Sequence, residues 1–201
     1  MVCKLCDKQI STRGMKKHLQ KCVEIQNDGI IILFTSYNLF GRKHQLWVKA
    51  HNECTFFDID KFLREHWVDC CGHASLIKSK HMDFSLRTKK KYKGEIKGHY
   101  TMKTRIKDLN KEVLSEMLLY EYDMGSTTFI QIKIVKILDE DPPSKNFFID
   151  IIHENEPFDY KCNSCTSKAI YIEEEVLKCK QCLDDYEIAS IIYNSPRMGV
   201  C

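Results

Sequence analysis

The chain of 201 residues is 43% hydrophobic and 10% aromatic, which suits one ordinary folded domain with small appendages. No stretch approaches the roughly 18 apolar residues of a membrane helix, and residues 1–10 carry charges and two cysteines where a secretion signal would be apolar. The sequence therefore predicts a cytoplasmic protein with no membrane association.

The formal net charge of +3 hides an asymmetry. Residues 1–27 carry +4, residues 28–77 carry −1, residues 78–107 carry +9 and residues 108–201 carry −9. One surface should be basic and another acidic. Eleven cysteines in a reducing compartment point to metal rather than disulfides, above all where they fall in Cys-x-x-Cys pairs.

At the N-terminus, Cys3-Lys-Leu-Cys6 is followed after eleven residues by His18 and after three more by Cys22. This is zinc-finger spacing. Residues 7–10 suit a short hairpin or turn, and 12–22 read as a helix with His18 and Cys22 one turn apart on one face. So short a segment lacks the apolar content to fold unaided, and structural zinc supplies about 10–16 kcal/mol in finger peptides.

The central segment reads in chain order as a strand over 44–50 and a helix over 57–67. The helix carries Ile59, Phe62, Leu63, His66 and Trp67 as its apolar stripe, with Asp58 as the expected N-cap. A short strand is expected over 74–77, then the basic segment and a short helix around 106–113. Residues 117–123 and 127–138 read as a hairpin whose turn is supplied by Gly125, since Ile130, Ile132 and Ile134 alternate with Gln131 and Lys133. Asp139-Glu140-Asp141 and Pro142-Pro143-Ser144 read as the start of a linker.

Near the C-terminus, Cys162-Asn-Ser-Cys165 and Cys179-Lys-Gln-Cys182 stand thirteen residues apart, with a strand-like Ala-Ile-Tyr-Ile and a Glu-Glu-Glu run between them. Two knuckles bridged by a hairpin make a zinc ribbon. Four protein thiolates leave no open position for water or substrate, so both expected zinc sites are structural. A redox dithiol would need one pair at a helix start within a βαβ unit, which the sequence lacks. The closing 194–201 stretch is polar and turn-forming, and an exposed end is expected there.

Leu46-Trp47-Val48-Lys49-Ala50, the helix ending in Trp67, Cys71-Gly72-His73-Ala74-Ser75-Leu76, and Leu119-Tyr120-Glu121-Tyr122-Asp123-Met124-Gly125-Ser126 form a further pattern. Over roughly residues 44–138 it resembles the Ri-plasmid ORF-three-like fold family, whose members carry a helix, an aromatic, a His-Leu segment and a Tyr-Asp-Phe-Gly-Asp turn. Met124 stands here for the phenylalanine and Ser126 for the aspartate, which makes this a divergent, finger-bearing branch. The resemblance implies an α+β fold and a prokaryotic or mobile-element origin, and it carries no settled activity.

The expected architecture is α+β, a central mixed sheet with packed helices between a zinc finger and a zinc ribbon. Its divisions are 1–27 for the finger, 28–140 for the central domain, 141–160 for the linker, and 161–201 for the ribbon and tail. The expected function is non-catalytic nucleic-acid binding with two zinc ions as the cofactors. Arg13, Lys16 and Lys17 of the finger helix and Lys89, Lys90, Lys91 and Lys93 of the basic segment would meet phosphate. A protein-interaction adaptor is the alternative, with the acidic runs, Glu173-Glu174-Glu175 among them, facing a basic partner. An enzyme would need His51, Cys54, Cys70, Cys71 and His73 to converge.

Overall fold

The computed structural model describes residues 2–68, 72–80, 83–84, 101–140 and 149–200. The fold is α+β, with few helices and one large sheet. That sheet is formed by β1 (Ile30–Tyr37), β2 (Lys43–Ala50), β3 (Ser75–Lys78), β4 (Asp83–Phe84), β5 (Met117–Tyr122), β6 (Thr128–Ile137) and β7 (Ile149–Glu154), in the order β4-β3-β5-β6-β1-β2-β7. Every described pairing in it is antiparallel, so the expected mixed sheet is an antiparallel one. The connections account for part of this: β1 to β2 and β5 to β6 are short hairpin links, and parallel neighbours need crossovers of a dozen residues or more.

β7 falls inside the 141–160 span read as a linker, yet it pairs with β2 from Ala50 to Leu46 and completes one edge of the sheet. Its Ile149, Ile151 and Ile152 are the reason, because each packs against a neighbouring core.

Both faces of β1 are covered, which explains why 30–34 is an unbroken apolar run rather than an alternating one. On one face, Ile30, Ile32 and Phe34 join Leu46, Val48, Ile130 and Ile132 under α2 (Phe56–Leu63) and α3 (Lys111–Ser115). On the other, Ile31, Trp47 and Ile152 pack under Met15, Leu19 and Val23 of α1 (Thr12–Glu24). Full burial of such side chains stabilises by about 1.5–3 kcal/mol each.

α2 begins at Phe56, one residue before the expected start, but its cap lies three residues before Asp58. Thr55 is the N-cap, and Asp58 is its partner in a capping box, the Thr55 amide and hydroxyl donating to Asp58 Oδ2 at 2.8 and 2.6 Å. After Leu63 the chain widens into a π turn, Arg64–Val68. The extra residue rotates Trp67 and Val68 together into the core, while Phe62 stays half-buried with His66 stacked on it at 5.6 Å.

One charge lies inside this core. Asp60 accepts from Arg64 Nε at 2.9 Å, Ser75 Oγ at 2.5 Å and Tyr120 Oη at 2.9 Å, so a buried carboxylate is fully partnered. Burial and the adjoining Asp60 carboxylate push the Tyr120 hydroxyl well above its ordinary pKa, which keeps it a donor.

The β5–β6 turn differs from expectation in its pivot. Asp123, with φ of 61°, takes the left-handed position, and its Oδ1 accepts the Gly125 amide at 3.1 Å. Aspartate tolerates this conformation because its side chain can bond its own backbone two residues on.

Candidate metal centres and basic surface

The N-terminal site is built from a knuckle and a helix. The chain turns at Asp7, with φ of 55°, and the amides of Cys6 and Asp7 donate to the Cys3 carbonyl at 3.3 and 2.8 Å. A bridge between Val2 and Gln9 closes the turn. Ser11 caps α1 by accepting the Gly14 amide at 3.2 Å, and the helix presents His18 and Cys22 on one side. The donor atoms of Cys3, Cys6, His18 and Cys22 all lie within 4.8 Å of one another. Cys6 Sγ is 3.3 Å from His18 Nε2, and Cys3 Sγ is 3.9 Å from Cys22 Sγ. Burial pushes the Cys22 thiol up to about 12, while the Lys8 amide draws Cys6 down. A cation at the centre is what allows such a set to ionise together.

The second site has two knuckles and a hairpin. β8 (Tyr171–Glu173) and β9 (Val176–Lys178) are joined by Glu174 and Glu175, whose φ values of 47° and 65° form a primed turn, and β10 (Ser190–Ile191) pairs with β8. The Cys162 amide donates to Ser167 and the Cys182 amide to Cys179. Cys165 Sγ lies 3.7 Å from both Cys179 Sγ and Cys182 Sγ, and all four sulfurs fall within 4.8 Å. Burial raises the Cys162 thiol, but amides of Cys179, Ser164 and Cys165 outweigh it and bring the group down to about 6.

Each of the two clusters can hold a metal ion, with four donors and no fifth protein ligand aimed at either among the described residues. The eight predicted ligands are thus brought together in the two expected groups.

Neither site is a free appendage. α1 buries Met15, Leu19 and Val23 on the sheet, and Lys136 Nζ donates to the carbonyls of Glu24 and Gln26 at 2.8 and 3.0 Å, tying down the helix's far end. The ribbon sits at the opposite end of the sheet. Tyr160 Oη is 2.6 Å from Asn38 Nδ2, and Phe158 meets His44 edge-on at 5.0 Å. The tail, expected to be exposed, buries Ser195, Arg197 and Met198. Ser195 Oγ donates to the Trp67 carbonyl at 2.5 Å, and the Arg197 guanidinium donates to Asp123, Ser126 and Thr128. Tyr122 is flanked by Arg64 at 4.9 Å and Arg197 at 5.0 Å.

Arg13, Lys16 and Lys17 are exposed on the outer face of α1, opposite the residues it buries. Lys89, Lys90, Lys91 and Lys93 lie outside the described residues. Of the acidic run, Glu173 is buried, accepting the amides of Asp184 and Asp185, and only Glu174 and Glu175 face solvent.

His51 and Cys54 do not meet His73. They follow Ala50, which pairs with Ile30 and through it lies level with Ile137, the last residue of β6. His73 instead donates its amide to Tyr122 Oη at 3.2 Å, and Tyr122 pairs with Thr128, the first residue of β6. The two groups thus lie toward opposite ends of β6. Cys54 is buried and its thiol is pushed well up by burial, which makes it a core residue. Cys70 and Cys71 lie outside the described residues.

No protein-family model matches the chain, and no curated protein matches it. Among solved structures, it is similar to the crystal structure of a protein of unknown function from Methanosarcina mazei Go1. The TM-score is 0.45 and the identity 16%, over 64% of this chain and 71% of that one.

Proposed function

We propose that the chain is a non-catalytic, zinc-dependent protein that binds nucleic acid through phosphate contacts from a basic surface on α1. Zinc fits the donor sets. Tetrahedral zinc with bonds of about 2.3 Å to sulfur places its sulfurs roughly 3.8 Å apart, and the observed separations are 3.7 to 3.9 Å. Harder divalent cations prefer oxygen donors.

The observation that carries the nucleic-acid reading is the division of α1. One side is held rigidly by His18, Cys22 and the sheet, and the other presents Arg13, Lys16 and Lys17 to solvent with no acidic residue in its first turn. A fixed array of cations tracks phosphates with little ordering cost. Titration of the zinc-loaded protein against duplex and single-stranded oligonucleotides at two salt concentrations tests it. Affinity should fall with a log–log slope of about −0.9 per duplex phosphate contacted. Charge reversal at Arg13, Lys16 and Lys17 should weaken all sequences alike, and a wild-type protein that shifts neither nucleic acid at micromolar concentration in low salt would refute the proposal.

A second reading, a protein-interaction adaptor, is favoured by the ribbon. Tyr186, Ile188 and Ile191 are each more than half exposed there, beside the exposed Asp185 and Glu187. Such an apolar and acidic surface suits a basic protein segment.

A further inference from the structure

Strand alternation leaves part of one sheet face uncovered by helices. α1 covers that face over Ile31, Trp47 and Ile152, with Leu33 and Val135 at its margin. Beyond the margin, toward β5 and the β1–β2 loop, the same face carries Tyr37, Lys43, Phe129 and Lys133. Tyr37 is 57% exposed and Phe129 53%.

These residues form a compact set. Tyr37 is the β1 partner of Lys43, whose Nζ lies 5.9 Å from the tyrosine ring centre. Ser36 is the β1 partner of Ile130, and its Oγ donates to the Phe129 carbonyl at 2.6 Å, which brings Tyr37 and Phe129 side by side on adjacent strands. Lys133 is exposed on the same side of β6, four residues from Phe129 and so about 13 Å along the strand. It faces Leu33, already at the edge of α1. Glu121, the β5 partner of Phe129, is paired with Lys78 at 2.8 Å.

Two exposed rings side by side on a sheet form an apolar patch of the kind that marks a binding surface. Lysines on both sides argue against an apolar protein segment, since lysine is depleted at the centre of protein interfaces. They suit a strand of phosphates whose bases have a π-face to offer. We infer that this uncovered area is a stacking platform for single-stranded nucleic acid, with bases on Tyr37 and Phe129 and phosphates near Lys43 and Lys133. The inference rests on the nucleic-acid reading above and adds the single-stranded class to it.

The test uses full-length zinc-loaded protein with fluorescent dT15, rU15 and a 15-base-pair duplex. Phe129→Ala and Tyr37→Ala should each weaken binding of the single strands by between about 5-fold and 100-fold, the range that loss of base stacking gives. Duplex binding should stay within about twofold, and Phe129→Trp should retain single-strand affinity. Phe129→Leu and Tyr37→Leu keep the apolar surface, guard against misfolding of the alanine variants, and should lose affinity as the alanines do. If the leucine variants bind single strands like wild type, the face is an apolar protein-docking surface and the platform is refuted. Equal losses on duplex and single strand also refute it. In both cases the phosphate reading of α1 stands, whereas wild type binding no nucleic acid ends both. A preference between dT15 and rU15 would assign the source of the strand.

Discussion

Arg197 and Asp123 stand 74 residues apart in sequence, and the guanidinium Nη2 of the first donates to Oδ2 of the second at 2.5 Å. Arg197 is almost wholly buried, and Asp123 holds the left-handed corner of the β5–β6 hairpin. The pair therefore fastens the segment that follows the ribbon to a turn of the main sheet. Arg197 holds the Asp123 carboxyl below the usual carboxylate range.

Arg197→Ala should free the ribbon from the sheet without unfolding the sheet. Hydrogen exchange should speed up across residues 161–200 and stay slow in β1, β2 and β6, because local openings follow cooperative units. The contribution of this pair is complete above the unfolded carboxyl pKa of about 4 and is lost as pH falls through the lower folded value. Protection of the ribbon amides relative to their intrinsic exchange should thus fall in wild type only at acid pH, and in the variant it should already be low at neutrality. Unchanged exchange across 161–200 would show that the ribbon is held by other means.

Metal analysis of protein purified without added metal should give two zinc equivalents per chain. Cys165→Ser should remove one equivalent and loosen the ribbon while the main sheet melts cooperatively as before. Cys6→Ser should remove the other and lower the stability of the whole sheet, since α1 covers Ile31, Trp47 and Ile152. Chelation of structural zinc unfolds small modules outright. A Cys6→Ser protein with the same denaturant midpoint as wild type would contradict the packing role given to α1.

Trp67→Ala should cost about 3–5 kcal/mol in denaturant unfolding. The indole is 3% exposed, and its Nε1 donates to Glu154 at 3.0 Å on β7, so a cavity and the loss of one of that carboxylate's partners both result. This is comparable to a large share of the net stability of a domain. A loss below about 1 kcal/mol would place Trp67 outside the cooperative core.

His44 gives a pH signature. Burial against Trp67 and Phe158 lowers its pKa to about 4. The unfolded imidazole titrates near 6.5, so above that pH neither state is charged and stability is full. As pH falls from about 6.5 to about 4 the unfolded state takes up a proton that the native state does not, and up to about 3 kcal/mol is lost. His44→Gln, which can still bond Asn38, should flatten the urea midpoint over that window relative to wild type. Parallel curves for the two proteins would refute this. The comparison cancels any acid release of metal, which both proteins share.

Local chemistry made part of this molecule legible in the amino-acid sequence. The ligands were readable because knuckle and helix spacing alone brings four donors together, and Ile130, Ile132 and Ile134 revealed β6 because one face of it is solvated. The finger's packing was not readable, since the run from Ile30 to Phe34 shows burial on two sides without saying what covers each. Asp58 hid the true cap at Thr55 because both members of a capping box are good N-caps. β7 escaped behind Pro142 and Pro143, which mark a break in the chain but not where strand pairing resumes. Arg197 looked like part of a polar end because a buried guanidinium is stable only where Asp123, Ser126 and Thr128 converge on it, and that convergence exists only once the hairpin and the ribbon are folded. Tyr37 and Phe129 likewise gave no local signal, for their shared platform depends on β1 and β6, far apart in sequence, lying side by side in one register.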